Sequence, residues 1–440
     1  MEATPEIAPA RAAAKKKPLL TGLILLFLLA MILANLGGNM YGPLMSLYIR
    51  DLGASVSQIG LFFTISSIIP LILQILGGWI SDTLGRLRAI AIGSVVGIFT
   101  YVALLLAPSW EWLLLASAFG AITGSLVGPS FDAFIAEQSG EENRAKMFGV
   151  TQALFGIVGF VGPALGGWLA EIRGFKFMLL IAGIMYLAAT VIRVSMARAV
   201  GRNGGKKAEK LTFSGLKANL GAMSGLLFGG GLVTWILVTD GVRDTSFALS
   251  MNLFSVYMQD FGGLNLQQIG LTGSIFGLFM MLTVVPAGIL ADKVGERVGI
   301  ALGFVLVGLS LGMLVFLPYG AFWLFLVGWA IAGVGVGLLQ PAYQSLISKA
   351  VPEKLRGTAF GLFSTSLGLV SLPAPWIGAQ LWTSVSPRFP FLITVAVVFL
   401  SIIPVWLKFK LPKNGNGANG SKQTSEEDSQ HATTLTEGGT

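Results

Sequence analysis

Asp240-Gly241-Val242-Arg243-Asp244 places two carboxylates and a guanidinium within a single short run, about halfway along an apolar stretch from 226 to 258. Helical spacing puts Asp240, Arg243 and Asp244 on one face, so that one Arg faces two acids. A carboxylate in excess of its counter-ion can hold a proton or a cationic group, and neighbouring acids share their protons. An ionised side chain costs about 2.5–3.5 kcal/mol at the centre of a lipid-facing helix. This face is therefore expected to line a cavity. A neutralised ion pair that only fixes helix packing would need one acid per Arg, not two. Other chemistry has little material: there is no Cys, and the one His, His431, lies in a polar tail. Thiol nucleophiles and Cys/His metal sites are thereby set aside. No G-x-x-x-x-G-K-[ST] is present for nucleotide-driven work. No metal, no cofactor and no enzymatic activity is expected, and proton chemistry falls to carboxylates.

The elements that must position these residues are strongly apolar. The chain is 54% hydrophobic and 11% charged, where a soluble domain carries about 25% charged residues. Twelve apolar segments, each near the roughly 20 residues that cross a bilayer, can be drawn: 19 to 49, 57 to 80, 88 to 108, 110 to 136, 147 to 170, 175 to 197, 226 to 258, 266 to 291, 298 to 317, 321 to 347, 359 to 381 and 389 to 411. The first, after Lys15-Lys16-Lys17, reads as a span and not as a cleaved signal. Of the 29 Lys and Arg residues, Arg50, Arg173, Lys176 and Arg388 fall on the far side and Arg243 inside a span. The rest, Arg193 and Arg198 among them, fall on the side of the N-terminus, which predicts cytoplasmic termini in a cell membrane, inner or plasma. The net charge of +8 is thus an orientation signal, with no basic, aromatic-interleaved domain for nucleic acid.

The segments come in two copies. Gly78, Asp82, Gly85 and Gly93 recur as Gly288, Asp292, Gly295 and Gly303 at an offset of 210. Tyr48 and Gly53 recur as Tyr257 and Gly262, and Pro129, Phe148, Pro163 and Gly166 recur as Pro341, Phe360, Pro375 and Gly378. An even number of spans per copy gives both copies the same orientation, as parallel repeats. The expected organisation is a cytoplasmic segment 1–18, a six-helix bundle 19–197, a cytoplasmic linker 198–225, a second bundle 226–411 and a polar tail 412–440. Asn35 matches Asp244, and Asn39 lies one turn further along the same helix. Polar groups of both halves are expected to converge at mid-membrane, with Gln74, Gln340 and Tyr343 as further polar candidates.

The turn after the second span has its own logic. Asp82 favours free N–H groups at a helix start, and Gly85 permits a tight reversal. Arg86 then needs an acid, and Asp132 in the fourth span is the expected partner. In the second copy Glu296 replaces Arg86 and Gln344 replaces Asp132, so the charge latch is expected in the first half only. Gly120, Gly124 and Gly128 in the fourth span read as a close-packing stripe.

Two parallel six-span halves and the turn G-x-x-x-D-x-x-G-R at Gly78, Asp82, Gly85 and Arg86 resemble the major facilitator superfamily over residues 19 to 411. The resemblance implies an all-α membrane protein of 12 transmembrane helices in two six-helix pseudo-repeats around a central cavity. Gly162-Pro163-Ala164-Leu165-Gly166-Gly167 resembles the core of the motif of drug:proton antiporters, which implies export. Val158 stands where that motif has a Gly, and Ala116 to Gly120 stand where those antiporters show R-x-x-Q-G. Gly and Pro there also serve helix bending and packing. The expected function is a secondary active transporter working by alternating access, a proton-coupled exporter of a small amphipathic compound, acting as a monomer in the lipid bilayer. The alternatives are a symporter importing a sugar, organic acid or peptide, and, in another class, a non-transporting membrane receptor.

Overall fold

Apolar runs with small residues and no strand-like alternation fold as helices, which satisfy every backbone hydrogen bond internally in lipid. The computed structural model describes residues 22–73, 85–199, 231–350, 368 and 370–409. Within these it shows helices α1 (Gly22–Asp51), α2 (Val56–Leu73), α3 (Arg86–Leu106), α4 (Trp110–Gln138), α5 (Gly140–Arg173) and α6 (Phe175–Ala199). The second set is α7 (Leu232–Asp260), α8 (Leu266–Val294), α9 (Glu296–Val315), α10 (Phe322–Ala350), α11 (Ala374–Ser384) and α12 (Phe389–Lys408). Each falls on one of the twelve sequence segments. Ten are long and apolar enough to cross a membrane. The others are α7, interrupted by its charges, and α11, described over 11 residues. Helix α1 contains a short 3-10 turn, Gly42–Leu44, at Pro43. The N-terminal segment, most of the linker and the tail lie outside the described residues.

The duplication is visible in side-chain detail. Ser55 caps α2 with Gln58 closing a capping box, and Asn265 caps α8 with Gln268 in the same arrangement. The Tyr48 hydroxyl donates to the Leu104 carbonyl at 2.6 Å, and the Tyr257 hydroxyl to the Val315 carbonyl at 2.7 Å. Gly85 and Gly295, the N-caps of α3 and α9, have φ of 85° and 96°, a left-handed conformation that glycine adopts without steric cost.

In each half the first helix packs on the fifth and sixth, and the third on the fourth and sixth. The halves meet through two equivalent crossings, α5 on α8 and α2 on α11. At the first, Gly270 lies against the Pro163 carbonyl and the Gly167 backbone; at the second, Gly60 lies against the Pro375 carbonyl and Ala379. The Ala164 N–H donates to Ser274 at 2.9 Å and, in the matching place, the Trp376 N–H donates to Thr64 at 3.1 Å. Large apolar side chains such as Leu106, Val191, Val285 and Trp406 stay exposed on the outside, where lipid contacts them. All helices alternate in direction, so the described chain starts and ends on one face, the terminal face; the opposite one is the far face.

Candidate functional site

Asp240, Arg243 and Asp244 do share one face of α7, and that face looks onto α10. Asp240 is completely buried and ion-paired to Arg243 Nη2. The same guanidinium donates to Asp244 Oδ1 from Nη2 at 2.7 Å and from Nε at 3.1 Å. It is held between two rings, 5.8 Å from the centroid of Phe304 in α9 and 5.4 Å from that of Tyr343 in α10, an arrangement favourable to a cation. The Asp244 side chain is 42% exposed. All three line a cavity of about 550 Å³ together with Phe247, Gln340 and Gln344. One acid is thus locked behind the Arg and the other is open to the cavity.

The first half has its own cavity, of about 490 Å³, lined by Asn35, Tyr41, Tyr101, Asp132, Tyr186 and Arg193, among others. Asn35 spends its amide on the Met31 carbonyl at 2.9 Å, one turn back in α1. Asn39 spends its own on the Asn35 carbonyl at 2.9 Å and lines a third cavity, of about 360 Å³, between the halves with Pro43, Pro163 and Ser255. Against the expected convergence, Asp240 and its neighbours, Asn35 and Asn39 line three different cavities.

The glycines of α4 also depart from expectation. A side chain at Gly124 or Gly128 would meet nothing within 4 Å, and the nearest atom to Gly120 would be Thr100 at 3.8 Å. They widen the first cavity, which they line, instead of bringing helices together. The contact of α3 with α4 is made by Gly93 against Leu126. Close packing is what the Gly-Pro element of α5 does. A Cβ at Gly162 would lie 2.5 Å from the Asn39 Cβ, and one at Gly167 2.9 Å from the Gly270 Cα. Gly166 rests on the Met40 carbonyl. Pro163 and these glycines thus join α5 to α1 and α8 at once.

On the terminal face, Gly78 and Asp82, like Gln74, lie outside the described residues. Gly85 starts α3, and Arg86 Nε donates to Glu137 Oε1 at 3.2 Å. Among the described residues its acid is Glu137 and not Asp132, because Glu137 lies at the end of α4 at the level where α3 begins, whereas Asp132 lies five residues deeper, about 7.5 Å along the helix. The latch is also not confined to the first half. Glu296 pairs with Lys349 and accepts from Ser345 at 2.9 Å. Lys349 stands where Glu137 stands in the first copy, so the same bridge is kept with both signs reversed. Sequence pairing alone could have found it, since Glu137 and Lys349 share the 212 offset of Pro129 and Pro341.

The far face is closed. Arg50 at the end of α1 donates to both Asp260 oxygens, at 2.7 and 2.8 Å, and to Gln259 at the end of α7. Glu171 accepts from the Leu266 N–H at 2.9 Å, and Ser255 donates to the Pro43 carbonyl at 2.6 Å. The two charged cavities lie between this seal and the terminal face, and the structure holds the halves joined at the far side.

Arg193 is the residue that sequence reading misplaced. Counted with the charges flanking the spans, it is 5% exposed and donates to Ser94 in α3 at 3.0 Å. Its neighbours in sequence, Ile192 and Val194, are apolar, which is the signal that could have kept it in the membrane.

Comparison with known proteins bears on the family and the fold. The model of the Major Facilitator Superfamily matches residues 27–239 and 241–435. The chain is 25% identical over 388 residues to "Multidrug resistance protein MdtG" of Dickeya zeae (strain Ech586), covering 84% of this chain and 90% of that one. It is 26% identical over 384 residues to "Multi-drug resistance efflux pump PmrA homolog" of Lactococcus lactis subsp. lactis (strain IL1403), covering 84% and 90%. Among solved structures, a bacterial homologue of the iron transporter ferroportin in its inward-facing state superposes with a TM-score of 0.71 at 17% identity, over 88% of this chain and 98% of that one.

Proposed function

The chain belongs to the major facilitator superfamily, and from that premise we propose that it is a proton-coupled exporter of small amphipathic compounds. It is a secondary active transporter that works by alternating access between its two halves. Cytoplasmic termini, in a cell that carries it in the inner or plasma membrane, are supported by the Lys and Arg distribution. Each chain holds both halves and both cavities, so a monomer suffices.

The observation that carries the coupling is the pairing of one Arg with two acids of unequal access. Asp240 is sealed behind Arg243, whereas Asp244 opens to the cavity. Binding a proton to this pair of acids removes the charge excess of the cluster, and loss of that charge changes the relative stability of the cavity-open and cavity-closed states. A ligand moves such an equilibrium only by its differential affinity for the two states. The proton supplies that difference in each cycle. Export is supported by the Gly162 to Gly167 element and by the names of the relatives above.

Purified protein in liposomes, given a panel of amphipathic compounds with and without an imposed pH gradient, tests this reading. Gradient-dependent accumulation of at least one compound against its own gradient is expected, with proton flow opposite to it. Substrate and proton moving in the same direction would establish symport and refute export.

A further inference from the structure

Arg193 is the second cation inside the helical bundle, and unlike Arg243 it has no acid. Among the described residues no carboxylate lies within ion-pair distance of it, and Ser94 is its one hydrogen-bonded side chain. A guanidinium carries five N–H donors, and a buried cation is costly without an anion to meet it. Arg193 lines the first cavity and is 95% buried, as its 5% exposure states. Two hydroxyls near it are able to donate. The Thr100 hydroxyl is buried with no partner. The Tyr186 hydroxyl comes close to Arg193, Ser94 and Thr123 but completes no hydrogen bond. The Tyr101 ring lies tilted beside it with ring centroids 5.0 Å apart, and Tyr41 meets Tyr101 edge-on at 6.0 Å. Asp132, on the same cavity, is exposed at its mouth and makes no ion pair with Arg193.

We propose that Arg193 and the hydroxyls of Thr100 and Tyr186 form an anion subsite that takes the carboxylate of the transported compound. A planar fork matched to a planar carboxylate gives two parallel hydrogen bonds, and the three tyrosine rings give an apolar wall beside it. The other half offers the opposite charge. Its cavity exposes Asp244, which suits a basic nitrogen. The substrate class that the Arg193 subsite selects is an amphipathic molecule that bears a carboxylate. The inference rests on the reading of the two cavities as the transport route.

Equilibrium binding to the full chain in detergent, with no gradient present, tests it separately from proton coupling and export. The probes are Nε-dansyl-lysine, which carries both an amine and a carboxylate, its α-carboxamide, which keeps only the amine, and its Nα-acetyl derivative, which keeps only the acid. Wild type is expected to bind the free acid at least about tenfold more tightly than the carboxamide, the worth of one charge-assisted contact. Arg193→Gln should abolish that difference and leave the carboxamide affinity unchanged. Arg193→Lys keeps the charge without the fork and should retain part of the preference, which also decides the matter if the Gln variant does not fold. Wild type that fails to distinguish acid from carboxamide, or binds none of the probes, overturns the proposal. So does a preference that survives unchanged in both variants, which would leave Arg193 a packing residue.

Discussion

Replacing Arg243 with Gln strands Asp240. That carboxylate is completely buried and Arg243 is its ion-pair partner, so the variant leaves an uncompensated charge in the membrane interior. Removing one member of such a pair costs about 3–5 kcal/mol, roughly two to three and a half powers of ten in the folding equilibrium. A further ~1–2 kcal/mol is lost because the guanidinium no longer stacks between Phe304 and Tyr343. The two acids should then differ sharply as second-site changes. Asp240→Asn in the Arg243→Gln background removes the stranded charge and should restore all but the stacking loss of ~1–2 kcal/mol. Asp244→Asn in the same background should restore almost nothing, because the Asp244 side chain is 42% exposed and is hydrated by the cavity without its Arg. Titration with SDS in mixed micelles, or the fraction of monodisperse protein left after heating, reads wild type and all three variants. Equal rescue by the two Asn changes would refute the assignment of Asp240 as the buried partner and Asp244 as the open one.

Asp244→Asn alone is expected to abolish gradient-driven accumulation while keeping substrate exchange, measured in the same proteoliposomes; pH-driven transport at wild-type level in this variant would leave the cluster a packing device. Gly166→Ala drives a methyl into the Met40 carbonyl and should cut transport severalfold at unchanged membrane insertion, by forcing α5 away from α1; the initial rate of uptake against protein abundance checks it. Arg50→Ala removes the bidentate bridge to Asp260, whose side chains are 29% and 40% exposed, so the seal is worth about 1 kcal/mol or less and the open population should rise up to about fivefold. The chain has no natural Cys, so a single introduced Cys lining the third cavity reports this directly as faster labelling from the far face. Unchanged labelling would mean that the far face is held by apolar packing alone.

Much of this protein is determined by the sequence alone. Span number follows from apolar length, because a helix that crosses lipid needs a set number of residues and tolerates few charges. The duplication follows from constant offsets, and the positions it pairs, Tyr48 with Tyr257 and Ser55 with Asn265, make the same hydrogen bonds and caps in both halves. The shared face of Asp240, Arg243 and Asp244 follows from helical period. What period does not state is which neighbour a face meets. Only the packed bundle separates Asn35 and Asn39 from the α7 cluster into different cavities, turns the α4 glycines from a packing stripe into a cavity wall, and gives Arg86 the acid at its own depth, Glu137. Charges near helix ends are the most ambiguous of all, since one turn of helix, about 5.4 Å, decides between water and the interior. Arg193 lies within two turns of the end of α6, where its charge fits an orientation signal equally well. The packing of α3 against α6 places it instead on Ser94 and inside the first cavity.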